Sequence, residues 1–168
     1  EMRQLLDEFL SFARNQSEVA AKSTPTDPIA LVKTIVDDAK RAGRNVRFVG
    51  VDIQNFVSMR PLLVKRALEN LVMNAVRYGS KAEISVRFET GELIFSIADD
   101  GPGIPDHQIN QALKPFSRLD PSRNQNHGSG VGLGLPIAAD VARSHGGRLI
   151  LSKSDALGGL LAEFIISR

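Results

Sequence analysis

Three groups of residues in this chain have the types and spacing of a nucleotide site. Two are glycine-rich loops, Asp-Asp-Gly-Pro-Gly at 99–103 and Gly-Val-Gly-Leu-Gly-Leu at 130–135, and the third is a helix-favouring segment at 61–78. Glycine lets a flat ligand approach the backbone because no Cβ atom interferes. One glycine loop alone is weak evidence, so the prediction of a nucleotide pocket rests on the ordered set.

The predicted helix at 61–78 carries four polar or aromatic residues at helical spacing, which places them on one side. Amide oxygens from Asn70 and Asn74 can serve a magnesium ion that keeps most of its waters and takes other ligands from phosphates. Arg77 can meet phosphate oxygens, and Tyr78 offers a ring for stacking. The alternative is a set of solvated helix residues.

The first glycine loop follows a predicted strand whose apolar residues alternate. Asp99 is therefore expected at the end of a sheet, with its carboxylate in a largely apolar pocket that suits an exocyclic amine. Gly101 and Gly103 permit positive φ angles and close approach of a ligand. An ordinary Asp-Asp-Gly-Pro-Gly turn is the alternative.

The second glycine loop stands before a predicted helix that has Pro136 in its first turn. Free amides and the helix dipole at such an end suit a phosphate chain. The chain contains neither a G-x-G-x-x-G nor a G-x-x-x-x-G-K-[ST] fingerprint, which disfavours the other common nucleotide folds. A flexible glycine linker is the alternative.

Between the loops, residues 114–118 read Lys-Pro-Phe-Ser-Arg and begin a long polar stretch. Phe116 is expected to anchor a loop over the nucleotide, while Arg118 or Arg123 meets the terminal phosphate by charge-assisted contacts. A core phenylalanine beside a surface arginine is the alternative.

Composition narrows the class of protein further. The 168 residues are 42% hydrophobic, carry a formal net charge of +2 from well-mixed residues and include no cysteine, so neither nucleic-acid binding nor a disulfide framework is expected. No apolar run is long enough to span a membrane, and no signal peptide is visible. The start at Glu1 suggests a piece of a longer protein, and we expect a cytoplasmic location.

The order of predicted elements indicates an α+β fold, a two-layer sandwich in which helices cover one face of a mixed sheet. Residues 1–20 are predicted to be the end of a helical bundle, 21–28 a proline-punctuated linker and 29–168 the main domain. An amphipathic helix packed on its own domain is the alternative for the first segment.

Four ordered motifs together resemble the catalytic, ATP-binding domain of bacterial sensor histidine kinases, of the superfamily with gyrase, Hsp90 and MutL ATPases. Residues 69–78 look like the N box, 99–103 the G1 box, 115–116 the F box and 130–135 the G2 box. The resemblance covers about residues 25–168, looks closest to the EnvZ-type osmosensing kinases and implies a Bergerat-type fold. Residues 1–18, especially 5–14, look like the end of the second helix of a dimerisation and phosphotransfer domain.

The resemblance implies ATP and Mg²⁺ as cofactors. It gives catalytic roles to Asn70, Asn74, Arg77 and Arg118, with Asn70 and Asn74 serving the metal. It implies that the nucleotide contacts Asn74, Arg77, Tyr78, Asp99, Gly101, Gly103, Ile104, Phe116, Gly130, Val131, Gly132, Leu133, Gly134 and Leu135. Val131 and Pro136 depart from the residues usual at their positions, which leaves a degenerate ATP-binding module, or an ATPase of the superfamily, as alternatives.

No histidine of this chain has the sequence context of a phosphoacceptor. His107, His127 and His145 are interpreted as surface or capping histidines, so the acceptor is expected upstream of Glu1. The implied partners are the upstream dimerisation and phosphotransfer domain, a response regulator receiver domain and a second copy of the parent. The parent is expected to be an inner-membrane sensor, with no direct membrane contact by this fragment.

Overall fold

The computed structural model describes residues 6, 10, 22–114 and 134–168. Its architecture is a five-stranded mixed sheet with helices packed on it and a separate two-stranded sheet, as the α+β prediction requires. The elements in chain order are β1 (Thr24–Thr26), α1 (Pro28–Arg41), β2 (Val46–Phe48), β3 (Val57–Met59), α2 (Pro61–Tyr78), β4 (Ala82–Glu89), β5 (Glu92–Asp99), a 3₁₀ turn (Asp106–Gln108), α3 (Ile109–Ala112), α4 (Gly134–Ser144), β6 (Arg148–Lys153) and β7 (Leu160–Ser167).

Local signals explain where the long helices begin and end. Asp27 caps α1 by accepting the backbone N–H groups of Ile29 (3.1 Å) and Ala30 (3.3 Å), and Pro28 occupies the first turn. Gly43 ends the segment at φ +79°. α2 also begins at a proline and stops at Gly79. Both helices were predicted from these residues.

The five strands of the main sheet are arranged in the order β2-β4-β5-β7-β6. β4 and β5 form the predicted hairpin around Gly91, whose φ is +76°. β5 is central and pairs antiparallel with β4 on one side and β7 on the other. Phe95 of β5 and Phe164 of β7 meet edge to face, 5.9 Å between ring centroids, in the core under the helices.

The two short strands after α1 join different sheets. β2 pairs parallel with β4, which requires a crossover that α2 supplies, whereas β3 pairs antiparallel with β1. β1 lies inside the segment predicted to be a linker, so that prediction missed a strand. No helix in the described ranges is long and apolar enough to cross a membrane.

Candidate nucleotide-binding site

The polar side of α2 forms one wall of the site. Asn70, Asn74, Arg77 and Tyr78 are all half-buried and lie in the C-terminal half of the helix, as the spacing predicts. The buried face of the same helix belongs to the core. These side chains therefore lie between the solvent and the core.

Asp99 is the last residue of β5 and is only 3% exposed. Its Oδ1 atom accepts the backbone N–H groups of Gly101 at 2.9 Å and Leu160 at 3.1 Å. Two backbone donors on one carboxylate oxygen fix the side chain and offset the cost of burying it. The prediction that Asp99 ends a strand with its carboxylate buried is confirmed.

Glycines let the backbone pack directly against Asp99. A Cβ atom on Gly159 would lie 2.3 Å from Asp99 Oδ1, and one on Gly101 would lie 2.7 Å from the carbonyl oxygen of Tyr78. Gly103 has the expected positive φ, +72°, but Gly101 does not, so the expectation for Gly101 was wrong. Gly101 is needed for close approach to the end of α2 instead.

Asp100 braces the same end of the site, a role that the sequence reasoning missed. Its carboxylate accepts the backbone N–H groups of Ser80 (2.7 Å) and Lys81 (3.0 Å) and the Ser80 hydroxyl. The hydrogen bond from the Ser80 hydroxyl is the main cause that lowers the pKa of Asp100 to about 2, and the two backbone donors add to it. The brace ties the residues after Tyr78 to the loop that follows β5.

The opposite end of the site lies where α4 begins. A Cβ atom on Gly134 would stand 3.9 Å from the carbonyl oxygen of Asn70 and 4.0 Å from its Cβ atom, so the start of α4 adjoins α2. The Asn70 Nδ2 atom is buried and has no hydrogen-bond partner among the described residues. A buried donor of this kind fits an acceptor such as a phosphate oxygen.

The remaining predicted site residues divide into two groups. Ile104 and Leu135 are half-buried and pack against the core, and Pro136 is buried in the first turn of α4. The others lie outside the described residues, so their roles stay predictions: Phe116, Arg118, Arg123, His127, Gly130, Val131, Gly132 and Leu133. His107 is exposed, as expected, whereas His145 is half-buried.

A match to a known protein family identifies which nucleotide-binding fold this chain has. A sequence profile described as "Histidine kinase-, DNA gyrase B-, and HSP90-like ATPase" matches residues 59–166, which contain both ends of the site. The chain belongs to this ATPase family. Within it, the chain is a catalytic ATP-binding domain of the sensor histidine kinase type.

Curated relatives support that assignment within the ATPase family. Sensor protein RstB of Escherichia coli is 33% identical over 169 residues, a match to 98% of this chain and 38% of RstB. Sensor protein CutS of Streptomyces coelicolor is 31% identical over 165 residues, covering 94% of this chain and 39% of CutS. The chain thus spans less than half the length of these relatives.

Solved structures agree with the fold of this ATPase domain. The histidine kinase domain of the E. coli osmosensor EnvZ is 32% identical with a TM-score of 0.66, covering 87% of this chain and 89% of that one. The ATP-binding domain of PrrB from Mycobacterium tuberculosis, 23% identical, superposes with a TM-score of 0.71 over 87% of this chain and 97% of that one. The two-layer α/β prediction is confirmed.

Proposed function

We propose that this chain holds Mg-ATP between α2, the loop after β5 and the start of α4, and donates the γ-phosphoryl group to a histidine in the parent protein. The acceptor would lie in an upstream dimerisation and phosphotransfer domain, from which the group passes to an aspartate of a response regulator. The sensor kinases RstB and CutS, which extend well beyond the matched segment, support a multidomain parent. We assign this domain to the cytoplasmic side of a membrane-bound sensor.

The placement of two unlike polar groups along the C-terminal half of α2 carries the proposal. Asp99 offers a buried carboxylate beside Tyr78, and Asn70 offers a buried donor beside Gly134. Asn70 and Tyr78 are eight positions apart in α2, about 12 Å along the axis. With adenine at Asp99, the carboxylate acceptor would meet the exocyclic amine donor of the base. With the phosphates at Asn70, the amide donor would meet phosphate oxygen acceptors.

The residues at the phosphate end fit magnesium only as part of a nucleotide complex. The described ranges contain no cluster of three or more histidine, cysteine, aspartate or glutamate residues that could hold a metal alone. Asn70 and Asn74 would supply amide oxygens, and phosphate and water the other ligands. The bound ion would neutralise charge on the phosphates during transfer.

The protein's own contribution to transfer is positioning. Phosphoryl transfer breaks the bond between the γ-phosphorus and the bridging oxygen of ADP and forms a bond to the acceptor nitrogen, which gives up its proton. α2 and the amides at the start of α4 would orient the phosphates, and Arg77 would offset their charge. Asp99 would hold the base, so that the γ-phosphoryl group lies at a constant distance from it.

A transfer assay in trans tests the proposal. The chain is incubated with radioactive ATP, magnesium and the parent's separate phosphoacceptor domain, and label on the acceptor histidine is measured. We expect label on the acceptor domain and none on this chain by itself. ATP binding without transfer would instead support the degenerate binding module, and phosphate release without an acceptor would support an ATPase.

Two variants test the assignment of the ends. Asp99→Asn should weaken ATP binding whether or not magnesium is present, because the amide directs a donor at the exocyclic amine. Asn74→Ala should mainly remove the gain in affinity that magnesium confers. Calorimetric titrations of ATP with and without magnesium measure both effects, and unchanged titrations for both variants would refute the assigned orientation.

A further inference from the structure

His145 joins the two helices of the site at the end away from the nucleotide. It follows directly on α4, and its imidazole Nε2 atom lies 3.0 Å from the backbone nitrogen of Arg60, the residue that precedes α2. In return, the Arg60 guanidinium donates to the carbonyl oxygen of Ser144 at 2.6 Å. We call these two hydrogen bonds the Arg60–His145 clasp.

The clasp requires one protonation state of the imidazole. A backbone N–H can only donate, so Nε2 must be the unprotonated nitrogen that accepts it. The proton of the neutral ring is then on Nδ1, which lies 2.9 Å from the carbonyl oxygen of Val141 and donates to it. A doubly protonated ring has no acceptor left for Arg60.

The clasp and the phosphate end of the site lie at opposite ends of the same helix pair. The start of α2 meets the end of α4 at the clasp, and Gly134 at the start of α4 adjoins Asn70, which makes the two helices antiparallel. Arg60, which precedes α2, and Asn70 are ten positions apart, about 15 Å along the helix axis. A shift of α4 along α2 at the clasp would therefore move Gly134 past Asn70.

Small side chains occupy several of the buried positions on both helices. Alanine fills three of the six buried positions of α4 and two of the seven of α2, and larger residues fill the others; the alanines are Ala138, Ala139, Ala142, Ala67 and Ala75. Large interlocking side chains resist sliding, whereas alanines offer shallow ridges and grooves. A directional hydrogen bond at one end adds a constraint that packing of alanines lacks.

We propose that His145 is a positioning residue for the nucleotide site: its neutral ring holds α4 in register against α2 and thereby sets the place of Gly134 beside Asn70. The proposal rests on the proposed function, since the expected consequence is a change in nucleotide affinity. It assigns no contact between His145 and the nucleotide. Protonation of His145 would release the register and weaken binding.

The surroundings of the ring favour its neutral form. Burial lowers the pKa of His145, and the charge of Arg60 lowers it further, while the hydrogen bond to Val141 acts in the opposite direction. Two further polar neighbours among the described residues are uncharged: the Ser144 hydroxyl lies 3.3 Å from Nδ1, and from β7 the backbone N–H of Ser167 donates to the carbonyl oxygen of His145. The charged residues Asp140 and Arg143, on the same helix, pair with each other.

Two substitutions of His145 test its role as a hydrogen-bond acceptor separately from its bulk. His145→Gln can keep an acceptor for the Arg60 N–H but does not titrate, and His145→Leu keeps bulk but loses the acceptor. His107→Gln is the matched control, because His107 is exposed and lies on another element. The probe is ADP with magnesium, titrated by calorimetry from about pH 8 to about pH 5. Titration of the ADP phosphates is common to all variants.

On acidification, the affinity of wild type and of His107→Gln for ADP with magnesium should fall about fivefold further than the affinity of His145→Gln. A change of about fivefold corresponds to one net hydrogen bond. His145→Leu should bind about fivefold more weakly than His145→Gln at the alkaline end. If His145→Leu melts at a lower temperature but binds with wild-type affinity at every pH, His145 is only structural and the proposal is overturned.

A second measurement does not depend on nucleotide. In the ligand-free protein, the NMR shift of the Gly134 amide should follow the titration of His145 in wild type and stay constant in His145→Gln. A constant Gly134 shift while the imidazole titrates would overturn the proposal. Failure of the wild type to bind ADP would count against the proposed function, and the Gly134 titration would still decide the role of His145.

Discussion

The two ends of the candidate site are built on different principles. At the proposed base end, the carboxylates of Asp99 and Asp100 accept backbone N–H groups from the loop after β5, from the start of β7 and from the residues after α2, and glycines let the backbone pack closely against Asp99. At the proposed phosphate end, Asn70 holds a buried donor that no described residue satisfies, and a Cβ atom on Gly134 would make only ordinary contacts with Asn70. The base end is preorganised, whereas the phosphate end keeps unused hydrogen-bonding capacity.

This difference shows which polar groups already form hydrogen bonds within the fold and which are left for a ligand. A group already bonded within the protein supports the fold, so changing it alters stability and binding together. A group left unbonded costs stability, and that cost is recovered only when a ligand binds. Substitutions at the two ends should therefore separate into two classes.

The largest effect is expected for Gly159→Ala at the base end. The new methyl would stand 2.3 Å from Asp99 Oδ1 and 2.6 Å from the backbone nitrogen of Gly101, so the carboxylate must move. We expect loss of about 1–3 kcal/mol of unfolding free energy, together with loss of ATP binding. Denaturant unfolding and calorimetric titration measure the two effects.

The adjacent Gly158→Ala is the control for that substitution. Its φ of +87° makes alanine strained, but no atom lies within 4 Å of the new methyl. It should cost about 1–2 kcal/mol from backbone strain and leave ATP affinity unchanged. ATP binding by Gly159→Ala at wild-type affinity would refute the preorganised base end.

At the phosphate end, Asn70→Ala should separate binding from stability. It removes a buried donor that has no described partner, which relieves a desolvation penalty of about 1–3 kcal/mol and offsets the packing lost. We expect an unfolding free energy within about 1 kcal/mol of wild type and ATP affinity about tenfold lower. Asn110→Ala, at an exposed asparagine of α3, should change neither quantity.

Gly134→Ala should have a smaller effect of the same kind. The methyl would make only ordinary contacts with Asn70, at 3.9 and 4.0 Å, and alanine favours a helix by up to about 1 kcal/mol over glycine. Stability should rise slightly while ATP affinity falls severalfold, because the methyl occupies space beside the phosphates. An unchanged affinity would show that phosphates do not approach Gly134.

The smallest effect is an acid-dependent one at Asp100. Its pKa is about 2 in the folded protein against an ordinary 3.8, so its contribution to stability is present above pH 3.8 and disappears as the pH falls toward 2. Asp100→Asn should remove less than about 1 kcal/mol near neutral pH, because solvent screens the group. The gap to wild type should close as the pH approaches 2 in urea unfolding curves, and a gap independent of pH would contradict the brace. Asp155→Asn, in an exposed turn, is the control.

Elements with local signals could be predicted from the sequence. Asp27 and Pro28 mark the start of α1, Gly91 marks the hairpin, and apolar periodicity separates α2 from β4 and β5. These signals act within a few residues, so each can be read without knowledge of the rest of the fold. The same holds for the polar side of α2 and for Asp99 at the end of β5.

The missed features depend on contacts that are distant in sequence. Leu160 bonds to Asp99 across 61 positions and Arg60 bonds to His145 across 85. Nothing in the local pattern of Gly159 indicates that it must approach a carboxylate, and the splitting of β2 and β3 between two sheets depends on which strands have free edges. Tertiary packing determines these features, so periodicity alone cannot supply them.

Because β5 lies at the centre of the sheet, it should open later than the outer parts of the domain. β5 is hydrogen-bonded to β4 along one edge and to β7 along the other, so its amides are released only when most of the sheet separates. Asp99 is part of that most persistent unit, while the start of α4 is a helix end, where local fraying needs far less free energy. Under the proposed function, fraying at the start of α4 would expose the phosphates and release product before Asp99 is disturbed.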